Sequence, residues 1–379
     1  MLNQSLKEYM NMDNIIFKIK DSVDIYVHEP NVLTIYYMNS RRRKTFRVNQ
    51  CMIDLLECID GESTTEDIIT RLKTTLGLNE EEIQDTLKLL VEYRIITEKS
   101  SENILSNYDL QRYARQINYF SEFLRDEKCA QEAQKRLMES HIAILGCGAI
   151  GGNMAIQLVM SGVQQLTILD YDVVSTSDIA RHMYFDNYSI GMQKTELLKS
   201  KLEAIDSRVR IRTINKVFRP EDDLTEILHN IDFVINSLDE PYIGYTSSKI
   251  SRFCVKHRIP HYIAGGFDAH LASTGELIIP YMSPCVECYA SHFKTSLANW
   301  KPKKHPVIER SKEIGGLPSM SLFSSSFGVM EIIKYITGLV DLNKEYKVRG
   351  EWTFTDMNLQ YLKVEKDPEC LICGANNEA

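Results

Sequence analysis

The chain has no long apolar run: nothing in its 379 residues approaches the roughly 18 consecutive apolar residues of a membrane-spanning helix, so no membrane partner is expected. It also lacks a basic excess. Its 44 Lys and Arg face 52 Asp and Glu, for a net charge of −8, which argues against a general nucleic-acid binder. Residues Met1–Tyr9 lead into polar sequence rather than an apolar secretory segment, so a cytoplasmic location is expected. In that setting the nine cysteines read as reduced thiols, available for metal or chemistry, rather than as a disulfide framework. No internal repeat or low-complexity tract is present. What the chain does have, 44% hydrophobic and 25% charged residues, suffices for a sizeable core and for two domains.

Residues 1–100 read as a small winged-helix-like α+β domain. The β-branched and aromatic runs 23–29, 32–38 and 44–48 are strands separated by turn-forming residues. Three helical patterns follow: one carrying Met52, Leu55, Leu56 and Ile59, one opening at Thr64-Thr65-Glu66-Asp67 and stopping at Gly77, and one with Asn79 as N-cap and Glu80–Glu82 in its first turn. The polar stretch 100–110 is the expected boundary, with a second domain over 101–379. There, apolar strands at 141–146, 165–170, 208–215, 232–237 and 261–266 alternate with helical segments such as 154–161 and 194–205. That alternation predicts an α/β, Rossmann-like fold with a mostly parallel sheet.

The stretch "ILGCGAIGGN" (144–153) places Gly146, Gly148 and Gly151 as G-x-G-x-x-G between a strand and a helix, and Asp170 ends the next strand. Glycines let the backbone approach phosphates, the helix N-terminus favours anions, and a carboxylate at the second strand end suits ribose hydroxyls. The residues beyond choose between nucleotides. Arg181 and Lys194 leave the ribose-binding strand end, Arg112 and Arg115 lie upstream in "RYARQ", and Asp239 stands just past the strand 232–237. Hydride transfer from NAD does not need this set. Attack of a carboxylate on a triphosphate does: cations neutralise the phosphates while an aspartate-bound Mg2+ spreads charge in the transition state.

The order R-Y-x-R-Q, G-x-G-x-x-G, D-x-D-x-V, Arg, G-x-x-K, Asp and two C-x-x-C pairs resembles the E1-like (ThiF/MoeB-type) adenylating superfamily, over roughly residues 108–379. The resemblance implies ATP as the nucleotide, with Asp170 on the ribose, Arg181 and Lys194 on the triphosphate, and Asp239 linked to Mg2+. It also implies a homodimer in which Arg115 reaches the partner's triphosphate. One departure stands out: the family usually has S-N-L-x-R-Q, and this chain has Ser177-Asp178-Ile179-Ala180-Arg181-His182. Asp178 puts a carboxylate where a neutral amide meets nucleotide, so it is expected either near metal or turned away. His182 reads as a structural polar side chain, with a base role as the alternative.

Cys285 and Cys288, with Cys370 and Cys373, form two C-x-x-C pairs that suit a tetrahedral, structural Zn2+ site, since each short turn aims two sulfurs at one point. Such zinc is worth about 10–16 kcal/mol apparent in small peptides. No cysteine lies between the pairs, where thioester- or persulfide-forming members of the family commonly carry theirs; adenylation without a covalent protein thioester is therefore expected. Cys147 reads as a small packing residue, and Cys51, Cys58, Cys129 and Cys254 as core or surface thiols. The polar segment 291–318, with Trp300, reads as a crossover loop over the substrate or an ordinary surface loop. Residues 319–338 read as a helix with small residues on one face; the family resemblance places it at the dimer core.

The segment from "FRVNQCMIDLL" to "EYRIITE" resembles the PqqD-like recognition elements that bind the leader of a ribosomally made precursor peptide as an added strand. The expected edge is Lys44–Val48 and the expected groove wall is the helix at Glu81–Tyr93. A module serving dimerisation or DNA is the alternative, and the acidic third helix disfavours DNA. The pairing of such a domain with an E1-like one resembles the peptide-modifying enzymes of microcin C7 and pantocin A biosynthesis. It implies activation of a peptide carboxylate and intrapeptide crosslinking or cyclisation. A sulfur-carrier adenylyltransferase and a non-catalytic leader-binding scaffold are the alternatives.

Overall fold

The patterns at 23–48 and 141–266 build separate sheets in separate units. The computed structural model describes residues 14–29, 31–99, 103–124, 126–219, 221–239, 243–268, 270–296, 315–342 and 349–374, and the chain divides after Lys135 into two compact units.

The first unit runs β1 (Ile16–Ile19), β2 (Val23–His28), β3 (Val32–Tyr37), β4 (Arg42–Arg47), α1 (Gln50–Cys58), β5 (Asp60–Thr64), α2 (Thr65–Leu76), α3 (Glu80–Glu92), β6 (Ile96–Glu98), α4 (Asn107–Arg112) and α5 (Ala114–Ser121), and α6 (Glu127–Glu139) crosses the division. β2, β3 and β4 form an antiparallel meander with β4 at its edge, and β5, β1 and β6 form a second antiparallel sheet that the longer sequence runs did not announce. The helix ends follow local chemistry. Thr64 and Asp67 close a capping box, Gly77 ends α2 in the left-handed conformation, and Asn79 accepts from the Glu81 N–H. Phe17, Leu33, Ile35, Leu55, Ile68, Leu72, Leu87 and Ile96 form the core of this unit.

The second unit begins with β7 (His141–Leu145), α7 (Gly151–Met160), β8 (Gln165–Leu169), α8 (Thr176–Ile179), α9 (Lys194–Ile205), β9 (Arg210–Ile214), α10 (Leu224–Ile227), β10 (Phe233–Asn236), α11 (Ile243–Lys256) and β11 (His261–Ile263). It continues with β12 (Phe267–Asp268), β13 (Leu271–Ser273), β14 (Glu276–Ile278), α12 (Val286–Ser296), α13 (Pro318–Thr337), β15 (Gly350–Thr353) and β16 (Asn358–Tyr361). The main sheet has the order β14-β11-β10-β7-β8-β9; all neighbours are parallel except β14, which closes the β11 edge antiparallel. Alternation sorts its strands. Ile142, Ile144, Ile168 and Ile235 meet α7, α9 and α13 on one face, while Ala143, Leu145, Leu169 and Val234 meet α10 and α11 on the other. A smaller antiparallel sheet, β12-β13-β15-β16, follows from the β11 end.

The small residues of α13 point into this unit. Ser324 donates to the Ser273 carbonyl at 2.8 Å and Ser325 to the Ile150 carbonyl at 3.1 Å. A Cβ on Gly328 would lie 2.8 Å from the Tyr262 ring and 2.9 Å from the Met154 methyl. This face therefore serves close packing of α13 on α7. Trp300, with the rest of 297–314, lies outside the described residues.

Candidate nucleotide site and four-cysteine centre

The chain leaves β7 toward β8 on one side of the sheet and crosses to β10 on the other, so the carboxyl ends of β7 and β10 form a switch point, where open α/β sheets bind ligands. Gly146 and Ser237 build it. Gly146 has φ +97°, and a side chain there would lie 2.8 Å from Ser237 Oγ. Ser237 Oγ in turn donates to the Gly146 carbonyl at 2.8 Å. A Cβ on Gly151, the first residue of α7, would strike the Gly146 carbonyl and Ser237 Oγ, and one on Gly152 would strike the Tyr184 hydroxyl. Gly148 faces open space. The glycines thus divide in role: three permit close packing around the turn, and Gly148 leaves room for a ligand against the helix N-terminus.

Asp170 is buried one residue past β8. Its carboxylate accepts from the Cys147 N–H at 2.6 Å and the Asp172 N–H at 2.8 Å. Burial still raises its pKa above the ordinary aspartate value against those two bonds. Tyr184 donates to the Cys147 carbonyl at 3.0 Å, so the loop is held from both sides. The Cys147 thiol is fully buried, and desolvation raises its pKa well above the ordinary thiol range.

Lys194 opens α9 with its side chain 8% exposed. Its ammonium lies 2.9 Å from Asp172 and 3.5 Å from Asp178. Burial works against that charge, but the two carboxylates outweigh it and raise the pKa. Asp178 is 4% exposed at its side chain. It caps α8 by accepting from the Ser175 N–H at 2.9 Å and the Ser175 hydroxyl at 2.8 Å, and it meets Arg181 at 3.1 Å. Burial alone would raise its pKa; the Ser175 bonds and Lys194 reverse that, and the carboxyl sits below the ordinary value. Asp178 is therefore an ionised counter-anion shared by Arg181 and Lys194. His182 donates from Nδ1 to the Asp178 carbonyl at 2.8 Å and lies 4.7 Å from the Phe185 ring, and burial lowers its pKa.

Arg181 is about half exposed, and Asp239 is exposed three residues past β10. The structure thus gathers Gly146, Gly148, Gly151, Asp170, Asp178, Arg181 and Lys194 around the carboxyl ends of β7 and β8. Arg115 is exposed on α5, in the first unit. Three contributors were not singled out from sequence. Ser237 and Tyr184 act through contacts across 91 and 37 residues, which no local pattern signals. Asp172 is the second carboxylate of D-x-D-x-V, and that motif was its available signal.

Cys285, Cys288, Cys370 and Cys373 are all buried, and their sulfurs lie within 4.8 Å of one another. Separations of 4.0, 3.6 and 3.5 Å join Cys285 to Cys288, Cys285 to Cys370 and Cys288 to Cys373. Tetrahedral thiolates around zinc at about 2.3 Å stand about 3.8 Å apart, so the donor set fits Zn2+. The Asp367 and Ile372 N–H groups each point at a sulfur at 3.5 Å. The apolar collar of Val255, Ile263 and Ile278 leaves the cluster closed.

Comparison with known proteins places this architecture. The chain is 27% identical over 323 residues to the adenylyltransferase and sulfurtransferase MOCS3 of Aedes aegypti, a match covering 84% of this chain and 67% of that protein. The chain thus spans about two thirds of the length of that relative. Among solved structures, E. coli MccB with MccA-N7isoASN superimposes with a TM-score of 0.69 at 18% identity, over 94% of this chain and 99% of that one. SeMet PaaA superimposes with a TM-score of 0.67 at 21% identity, over 92% and 100%. The ThiF family pattern matches residues 113–372, and the chain belongs to the ThiF family.

Proposed function

We propose that the chain is a Mg-ATP-dependent adenylyltransferase that activates a carboxylate of a ribosomally made precursor peptide, with residues 1–100 recognising the leader and 101–379 performing the chemistry. The observation that carries the reading is the buried Lys194, held with Arg181 on the exchangeable carboxylates Asp172 and Asp178 beside an open glycine turn. Lys194 is already desolvated and both cations are oriented, so they can pass from these carboxylates to the phosphates of ATP at small reorganisation cost. The Asp170 carboxylate takes the ribose hydroxyls, and the α7 N–H groups face the phosphates. The exposed Asp239 is the proposed Mg2+ ligand, and the ion would neutralise phosphate charge there.

In the reaction a peptide carboxylate oxygen bonds to the α-phosphorus, and the bond from that phosphorus to the bridging oxygen breaks. Pyrophosphate leaves and an acyl-adenylate remains. A nucleophile of the same peptide then attacks the activated carbonyl and expels AMP, giving an intrapeptide crosslink or ring. A homodimer with Arg115 donated to the partner's site completes the proposal. In its support, Tyr171, Val173, Met183, Tyr188, Ile190 and Met192 crowd exposed apolar surface onto the segment leaving the site, with Tyr188 92% exposed.

Likeness to MccB and PaaA over both units supports a peptide substrate, whereas likeness to MOCS3 supports a sulfur-carrier protein instead. Pyrophosphate release separates the two. Release stimulated by a short peptide, if one is encoded beside the gene, and abolished in Lys194→Ala and Asp239→Ala with leader binding retained, supports the proposal. Stimulation only by a ubiquitin-like carrier ending in Gly-Gly would give the second reading. Tight leader binding with no release under any condition makes the chain a scaffold.

A further inference from the structure

The first unit leaves a strand edge with a charge and shape of its own. β4 hydrogen-bonds β3 along one side, and among the described residues its other side has no strand partner. Its six residues are Arg42, Arg43, Lys44, Thr45, Phe46 and Arg47, four of them cationic. Ion pairs in this unit join Lys18 to Asp21 and Glu127, Lys73 to Glu80, and Lys88 to Asp85; among the described residues the four β4 cations take part in none.

Register divides the strand. Phe46 lies opposite Leu33 and Lys44 opposite Ile35, both core residues, so Arg42, Lys44 and Phe46 share the face toward α3. Arg43, Thr45 and Arg47 share the opposite face. On the inner face the Lys44 ammonium lies 4.3 Å from the Tyr93 ring centroid, and Phe46 meets Tyr93 edge-on at 6.0 Å. Leu89, one turn before Tyr93 on the same face of the helix, is 45% exposed. An apolar shelf thus runs beside an open, basic strand edge.

We infer that the β4 edge takes an added strand in which acidic side chains alternate with apolar ones. The acidic groups face Arg43 and Arg47 on the outer side, and the apolar groups rest on Phe46, Leu89 and Tyr93. This rests on the proposed role of the first unit in peptide recognition and names the chemistry it selects. Cationic edges repel one another, so the charges that keep two copies from pairing edge to edge also admit an acidic strand.

The test is fluorescence anisotropy on the full chain in about 0.1 M salt, with a fluorescein-labelled synthetic peptide of three Glu-Leu repeats. Two counterparts carry Lys for Glu or Ser for Leu. The Glu-Leu peptide is expected to bind about tenfold tighter than the Lys form, as two exposed ion pairs gained and two like-charge contacts avoided allow. It is also expected to bind more tightly than the Ser form. The double variant Arg43→Glu, Arg47→Glu should reverse the charge preference, and Leu89→Ser should weaken the Glu-Leu peptide without changing it. Equal binding of both charge forms, still weakened by Leu89→Ser, overturns the charge selection and leaves peptide recognition standing. Binding of the Ser form as tight as the Glu-Leu form, or full competition by heparin at equal charge, makes the edge a general polyanion surface and overturns the inference. Failure of every peptide overturns both this inference and the proposed recognition role.

Discussion

The four-cysteine cluster and the glycine-turn crevice lie in the same unit, and both join remote stretches of chain. The cluster brings together residues 85 apart, Cys285 with Cys370 and Cys288 with Cys373. The crevice joins the turn at 146–151 to Asp170, Lys194 and Ser237. They differ in closure. In the cluster, four like donors are buried and converge on one point, so a single ion satisfies all of them and no position stays open. In the crevice, unlike charges satisfy one another around open space at Gly148, and Arg181 and Asp239 keep contact with solvent. A closed set of identical donors serves stability, whereas an open set of exchangeable pairs serves turnover.

The sharpest way to break that contrast is to remove a sulfur. Cys373→Ser leaves three ligands and a buried hydroxyl, and structural zinc is worth about 10–16 kcal/mol apparent in small peptides. The variant should lose bound zinc, measured by elemental analysis as one ion per chain in the wild type, and should unfold the second unit at least about 10 °C lower. An unchanged Tm together with zinc-free wild type would reduce the cluster to packed thiols. Next in size is Gly151→Val. Its side chain would meet the Gly146 carbonyl and Ser237 Oγ, moving the turn away from the switch point. ATP-dependent pyrophosphate exchange should fall about 100-fold, as misplacement of about an ångström can do, while zinc content stays at one per chain. Zinc loss in this variant would mean that the two regions are coupled after all.

The two regions were also unequally legible in the sequence. The cysteines could be read almost completely, because C-x-x-C spacing encodes its own local geometry. The same holds for the Asn79 cap, the Gly77 stop and α9, whose bounds Lys194–Ile205 match the sequence pattern. The crevice could be read in its charged residues and not in their connections. Asp178 stood out as a carboxylate in an unexpected place; its contacts to Ser175 and Arg181 are local to α8, three residues away on either side, but Lys194 reaches it only when α9 folds against α8. β1, β5 and β14 were not declared by their local sequence; they are defined by pairing, β1 with β5 and β6, and β14 with β11.

Proton linkage gives an effect of intermediate size outside both regions. His261 is fully buried at the start of β11, accepting from Ser251 at 2.8 Å and donating to the Ile259 carbonyl at 3.1 Å. Burial pushes its pKa down to about 4 from an ordinary value near 6.5. Between those values the unfolded chain holds a proton that the native one does not, so stability falls as pH drops from about 6.5 toward 4. From pH 7 to 5.5 the wild type should lose about 1 kcal/mol that His261→Gln retains, read by urea unfolding at both pH values. Equal losses would place the acid sensitivity elsewhere.

The smallest expected effect carries the most information about the crevice. Asp178→Asn keeps an acceptor for the Ser175 cap but removes the charge that Arg181 and Lys194 share, leaving Lys194 with Asp172 alone among the carboxylates within 4 Å. Two consequences oppose each other. The cations lose part of their pre-orientation, and incoming phosphate no longer competes with a resident anion or faces its repulsion. The network is partly exposed at Arg181, so both effects are screened, and the second prevails because Asp172 still positions Lys194. The KM for ATP should fall about threefold with kcat little changed, and the dependence on Mg2+ concentration should be that of the wild type. A tenfold rise in KM, or a shifted Mg2+ dependence, would make Asp178 a metal ligand, with Lys194 as its temporary substitute. The exchangeable pair would then include the ion itself, and the crevice would resemble the cysteine centre more than its open geometry implies.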